Sequence, residues 1–186
     1  MGIKTLIITG LCVCAAATGA TAESGVSRLK AFAATEEQPL TVELILQHTS
    51  VQPGGRTQIG VLFNMEPGWH IYAQKPGDAG LPTKVAWNVP KDVSIGPLHW
   101  PKPEEFVDPG NIHTFGYSAT LVLSAAFFLA PTVNADQTLP VSAEVEWLAC
   151  KEICLPGSTK LEITVPVNAS APVFSMHTQF FDHTAD

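Results

Sequence analysis

Cys150-Lys151-Glu152-Ile153-Cys154 places two thiols four positions apart. In one continuous strand their Cα atoms would lie ~13 Å apart at about 3.3 Å per residue, whereas a disulfide wants roughly 4.4–6.8 Å. A bridge therefore requires the backbone to turn between them, as a tight loop or one helical turn would do. As a staple such a bridge is poor, because closing about five residues gains only ~2 kcal/mol in the chain-entropy model, against ~4.7 for a 100-residue loop. Short, exposed bridges tend instead to be labile or catalytic. Three chemistries fit the spacing: redox exchange, an inert local bridge, or a Cu(I) or Zn²⁺ site completed by a histidine that the fold brings in. Six histidines are available (His48, His70, His99, His113, His177 and His183), but none stands at ligand spacing from the cysteines and no Met-rich stretch accompanies them. Lys151 and Glu152 flank the thiols with opposite charges, so local charge alone does not set the direction of a thiolate shift.

The compartment decides whether a disulfide can form at all. Lys4 supplies a positive n-region, Leu6 to Ala17 is an apolar run, and Ala20-Thr21-Ala22 is an A-x-A cleavage site, the pattern of a secretory signal peptide over residues 1–22. The run is too short for an anchor helix, which needs about 20 apolar residues, and neither Cys12 nor Cys14 follows the small residues of a lipidation signal. Cleavage after Ala22 removes those two cysteines and leaves Cys150 and Cys154 alone in the mature chain. It also removes Lys4, so nine basic residues face seventeen acidic ones, a net charge near −8. That balance argues against nucleic acid and anionic membrane as partners. No later segment reaches transmembrane length, so the expectation is a soluble periplasmic protein with no stable membrane insertion after cleavage, in a compartment that permits disulfides.

The elements that must position the thiols read as strands. Residues 23–38 are polar, small and without period, a flexible lead. Leu40, Val42, Leu44 and Leu46 then alternate with Thr41 and Glu43, and after the turn Val51–Gly55 so do Thr57, Ile59, Val61 and Phe63, the period of two that marks a half-buried strand. Pro67-Gly68 is a break, Trp69–Tyr72 is extended, and Lys75–Pro82 is expected to be a loop. Short strands are expected at 83–88 and 92–99, a second long loop at 101–113, and strands at about 117–129, 138–149 and 160–167. Pro156-Gly157 reads as a turn just after the cysteine pair. Fifteen prolines, fourteen glycines and no convincing amphipathic helix point to an all-β protein, an antiparallel β-sandwich. The tail 169–186 is expected either to dock as a short helix or to fray.

Several segments together resemble the N-terminal periplasmic domain of the thiol:disulfide interchange protein DsbD and its ScsB-like relatives. They are Gly68-Trp69-His70-Ile71-Tyr72, Pro76-Gly77-Asp78-Ala79-Gly80-Leu81-Pro82-Thr83, Gly96-Pro97-Leu98-His99-Trp100-Pro101, Pro103-Glu104-Glu105-Phe106, Phe115-Gly116-Tyr117, and Glu146 through Gly157. The last block is specific, where a bare C-x₃-C would not be. The resemblance covers roughly residues 38–168 and implies one domain at 39–168 with an immunoglobulin-like fold.

It also implies that Cys150 and Cys154 shuttle electrons with no cofactor beyond their own disulfide. The donor would be a membrane protein of the DsbD/ScsB type, and the acceptors periplasmic thioredoxin-like or disulfide isomerase proteins, including those of cytochrome c maturation. By position Cys154 matches the cysteine that forms the intermolecular bond, and Cys150 the resolving one. Glu104-Glu105-Phe106 stands where the family carries a cap loop with an aromatic residue over the couple. Trp69, Trp100 and Trp147 are expected in the core or at its rim, and Asp78 and Tyr72 are candidates for supporting the site. The family's membrane domain and thioredoxin-like domain are absent from this sequence, so a separate donor is expected. The alternative from another class is a non-catalytic Cu(I)-binding or partner-binding sandwich with an incidental bridge.

Overall fold

The computed structural model describes residues 38–181. The expected signal peptide, the lead up to residue 37 and tail residues 182–186 lie outside the described residues. Ten strands follow in chain order: β1 (Leu40–Leu46), β2 (Arg56–Met65), β3 (His70–Gly77), β4 (Lys84–Asn88), β5 (Val93–Ile95), β6 (Glu104–Asp108), β7 (Ile112–Ser118), β8 (Thr120–Leu129), β9 (Gln137–Cys150) and β10 (Cys154–Val167). A single turn of 3-10 helix closes the described chain at Thr178–Phe180.

The strands form a four-stranded sheet, β1-β2-β8-β5, and a six-stranded sheet, β10-β9-β3-β7-β6, with β4 beside β9. All strand pairings are antiparallel, and the architecture is the immunoglobulin-like sandwich that the strand pattern and the resemblance led us to expect. The inward residues do what period two requires. Val61, Phe63, Leu121 and Leu123 of one sheet pack against Ile71, Tyr117, Ala143, Val145 and Trp147 of the other. A second cluster at the far end joins Leu46, Ile59 and Phe127 to Val141 and Val165.

Four local expectations need correction. The segment Lys75–Pro82 is not all loop: β3 runs on to Gly77, whose partner is Thr114, after a register shift beyond Tyr72. Gly77 has φ +93, a conformation that an L side chain adopts only with strain. The expected loop 101–113 contains β6, which pairs with β7 across a turn at Pro109-Gly110-Asn111; the prolines at 101 and 103 lie just before the strand. The expected strand 117–129 is two strands divided at Ala119, whose φ of 55 turns the chain from one sheet into the other. Pro156-Gly157 is no turn but lies inside β10, opposite Leu148 and Trp147. Because β10 is an edge strand, proline's missing N–H costs no ladder bond there, and Gly157 leaves room for the Trp147 ring, which any Cβ would strike.

The tail neither frays nor forms a full helix within the described residues. It lies as a strap along β1, with Ser175 N–H donating to Gln47 O at 2.9 Å and Thr178 Oγ1 donating to the same oxygen at 2.7 Å. Phe181, fully buried, packs with Ile45 and Leu62 on the outer face of the four-stranded sheet. That contact explains why these two residues are apolar on the side of their strands that faces away from the sandwich core.

Candidate functional site

Cys150 ends β9 and Cys154 begins β10, so the two are directly opposed across a hairpin with Cα atoms 4.1 Å apart and a disulfide between them. The turn that their spacing demanded is the loop Lys151-Glu152-Ile153, closed by Lys151 N–H donating to Ile153 O at 3.0 Å. Lys151 Nζ reaches back to the carbonyl of Pro67 at 3.3 Å, beside the β2–β3 turn. The two sulfurs have different surroundings. Cys150 is 3% exposed, whereas Cys154 is exposed to solvent.

Strand alternation shows how unusual the burial of Cys150 is. Along β9, Ala143, Val145, Trp147 and Ala149 point into the core, while Glu144 and Glu146 on the other face are exposed. Cys150 belongs to that outer face, and so does His70, its partner across the β3–β9 pairing. On the next strand Ser118 is the partner of His70. A row therefore runs across the sheet, Cys154, Cys150, His70, Ser118, because antiparallel partners share a face.

Side chains of β3 and β6, with the loop at Gly80, pack around the middle of this row. Phe106 on β6 stacks on the His70 ring, with centroids 4.3 Å apart and planes within 16°. Tyr72, two residues along β3 from His70, meets the imidazole edge-on at 5.3 Å, and its hydroxyl donates to Cys150 Sγ at 3.3 Å. Gly80 lies so close against the Tyr72 ring that no Cβ would fit. As a result His70 is 8% and Tyr72 4% exposed, on the face that also carries the exposed Glu144 and Glu146. Exposed Leu81, Val107 and Ile153 follow Gly80, follow Phe106 and separate the cysteines respectively.

The residues singled out in the sequence divide among these parts. Glu104 accepts from the Ser118 hydroxyl at 2.9 and 3.0 Å. Glu105, on the opposite face of β6, pairs with His113 Nδ1 at 2.7 Å. Asp78 bolts the loop after β3 to the β6–β7 hairpin: its carboxylate accepts from His113 N–H at 2.9 Å and its own N–H donates to His113 O at 2.9 Å. Trp147 is in the core, with Trp69 and Trp100 at its edge. Tyr117, facing the core from β7, donates to Pro101 O at 2.8 Å, and burial pushes its phenol up to about 12.

Among the described histidines, His70 is the one opposite a cysteine; His48 stacks on Phe174 of the strap instead, and His183 lies outside the described residues. Among the described residues no three His, Cys, Asp or Glu side chains gather as a metal-holding set. His70 is the site residue that sequence reasoning missed. Its signal was the alternation of Trp69-His70-Ile71-Tyr72, which puts two polar rings on one face of a strand that otherwise buries Ile71 and Ala73.

The sequence matches the family described as "Thiol:disulfide interchange protein DsbD, N-terminal" over residues 36–166. No curated protein matches it. Among solved structures it is similar to the N-terminal periplasmic domain of ScsB from Proteus mirabilis, at 20% identity and a TM-score of 0.54, over 82% of this chain and 56% of that one. It is also similar to the DsbD N-terminal domain of Neisseria meningitidis in the reduced form, at 19% identity and a TM-score of 0.40, over 70% of this chain and 88% of that one. The chain thus spans little more than half of the ScsB domain's length.

Proposed function

The chain belongs to the family of DsbD N-terminal domains, whose chemistry is thiol–disulfide exchange, and from that premise we propose that it is a periplasmic protein-disulfide reductase module working through Cys150 and Cys154. In its reduced form the Cys154 thiolate attacks one sulfur of a partner disulfide, whose other sulfur leaves as a thiolate. Cys150 then attacks Cys154 Sγ, the mixed disulfide breaks, and the partner departs with both thiols reduced. Two electrons pass from the couple to the partner, and the Cys150–Cys154 bond of the present structure is the oxidised product.

The observation that carries this order of events is the unequal burial of the two sulfurs. A partner sulfur can reach exposed Cys154, whereas Cys150, at 3% exposure, is shielded from it and bonded to Cys154. The Glu104-Glu105-Phe106 segment serves as the cap, with Phe106 standing on His70 beside the couple. It holds off wrong partners until a docking protein moves it. The acceptors are thioredoxin-like or disulfide isomerase proteins, and the donor that re-reduces the couple is a membrane protein of the DsbD/ScsB type, with the signal peptide 1–22 removed on export.

Trapping tests the order. A Cys150→Ser variant, reduced and mixed with an oxidised thioredoxin-fold protein, should accumulate a disulfide-linked complex through Cys154. Cys154→Ser should trap little. Equal trapping by both variants, or trapping by Cys154→Ser alone, would defeat the assignment.

A further inference from the structure

We propose that His70 is the acid–base partner of Cys150, taking the thiol proton as Cys150 closes the disulfide and returning it when the couple is reduced. The inference rests on the exchange reading above and adds a proton path to it. Ring closure needs Cys150 as a thiolate, since the thiol itself is not the nucleophile. Bulk water has poor access to Cys150, a residue only 3% exposed. The proton must therefore leave through a neighbouring side chain.

His70 has the right place and the right chemistry. It is directly opposite Cys150 in the β3–β9 register, on the same outer face, and is itself buried. Imidazole is the side chain whose ordinary titration range spans neutral pH, so it accepts a thiol proton and gives it up again without a large penalty in either direction. Its ring plane is held from two sides, flat against Phe106 and edge-on to Tyr72. Tyr72 complements it by donating to Cys150 Sγ, a bond that strengthens as negative charge develops on sulfur.

The other groups around His70 are these. From β7, Ser118 faces it and carries the Glu104 carboxylate of β6. Lys151, beyond Cys150, is engaged with the Pro67 carbonyl. From β3 and β9 come Tyr72 and Cys150. Among these described neighbours, His70 is the one able to hold the proton as a neutral-pH base while remaining under the cap. In the forward step the Cys150 S–H proton passes to an imidazole nitrogen, the sulfur pair forms the S–S bond, and the partner thiolate leaves. The imidazolium then releases its proton to solvent or to that thiolate as the cap reopens.

The test uses the whole mature protein, reduced, and an aromatic small-molecule disulfide whose thiol product absorbs light. Attack by Cys154 releases one coloured thiol and ring closure by Cys150 releases the second. In the native protein the rate of the second phase should bend to a plateau near neutral pH. His70→Gln should slow it by roughly tenfold to a hundredfold at pH 7, within the usual range of a general base, and leave a rate that climbs with hydroxide to alkaline pH. In His70→Phe, which keeps a ring beneath Phe106, the first phase should change less than about twofold. His70→Phe should behave like His70→Gln, while near-ultraviolet circular dichroism checks the packing of each variant. The native profile needs no substitution: a second phase that climbs straight through neutral pH without a bend overturns the assignment, even if both variants misfold. So does a native pH profile retained in His70→Gln. If both phases appear, the exchange reading stands whatever becomes of His70; if no second thiol is released, both readings fall.

Discussion

The hydroxyl of Tyr72 donates to Cys150 Sγ at 3.3 Å, which gives the buried cysteine of the couple a polar partner. A hydrogen bond to a charged group contributes roughly 1.5–3 kcal/mol, and this one gains that strength when Cys150 becomes a thiolate. Tyr72→Phe should therefore slow ring closure by about tenfold or more, at 1.4 kcal/mol per decade, and leave the first attack by Cys154 unchanged. Mass spectrometry of acid-quenched samples would show the mixed disulfide accumulating. A variant that resolves as fast as the native protein would show that the bond does nothing for the reaction.

Phe106 stands on His70, and the proposed cap role makes a prediction for its removal. Truncation to Ala should let small disulfides oxidise the reduced couple several-fold faster, while stability falls by about 1 kcal/mol for the lost aromatic stack. The two readouts are a stopped-flow rate and a denaturation midpoint. Unchanged reactivity would mean that Phe106 is only a packed loop residue.

Tyr117 predicts a loss of stability at alkaline pH. Its phenol titrates at 10.0 when unperturbed and at about 12 in the fold, because burial disfavours the anion. Above pH 10 the unfolded chain releases this proton while the folded protein keeps it, so the unfolded state is favoured increasingly until the folded phenol also ionises. The stabilisation is complete below pH 10 and is lost as pH rises through 12. Tyr117→Phe should cost about 1 kcal/mol at pH 8, for the bond to Pro101. It should then lose less stability than the native protein between pH 10 and 12. Thermal midpoints of both proteins across that range decide it, since all other alkaline effects are shared.

The strap offers a control that separates stability from chemistry. Phe181 is 1% exposed against Ile45 and Leu62, and Phe181→Ala should cost about 3–5 kcal/mol. Because the strap lies on the four-stranded sheet and the couple on the outer face of the six-stranded one, exchange rates measured well below the unfolding transition should not change. Slower ring closure in this variant would show coupling across the sandwich.

The sandwich was legible in the chain because period two is written residue by residue. Leu40 to Leu46, Thr57 to Phe63 and Leu161 to Val167 each mark a face directly, and Pro67-Gly68 marks a break. Elements that depend on what the neighbouring strand offers were not legible: β6 is a strand because β7 lies beside it, and Pro156-Gly157 stays extended because β10 has an open edge and Trp147 needs the space. From the sequence the tail 169–186 could be expected only to dock as a short helix or to fray. Its docking depends on Ile45 and Leu62, more than a hundred positions away.

For the site, the spacing of Cys150 and Cys154 already demanded a turn and disfavoured a staple, since both follow from chain geometry and loop entropy. The sequence also supplied the acidic, aromatic segment Glu104-Glu105-Phe106. The difference between the two sulfurs could be decided only by the tertiary structure. Alternation alone puts Cys150 on a wet face with Glu144 and Glu146. It is buried because pairing sets His70 opposite it and Tyr72 against its sulfur, with Phe106 of β6 stacked on His70 and Gly80 packed on the Tyr72 ring. Burial is a property of what lies above a residue in space, and register decides which residues meet; neither is encoded in the cysteine motif.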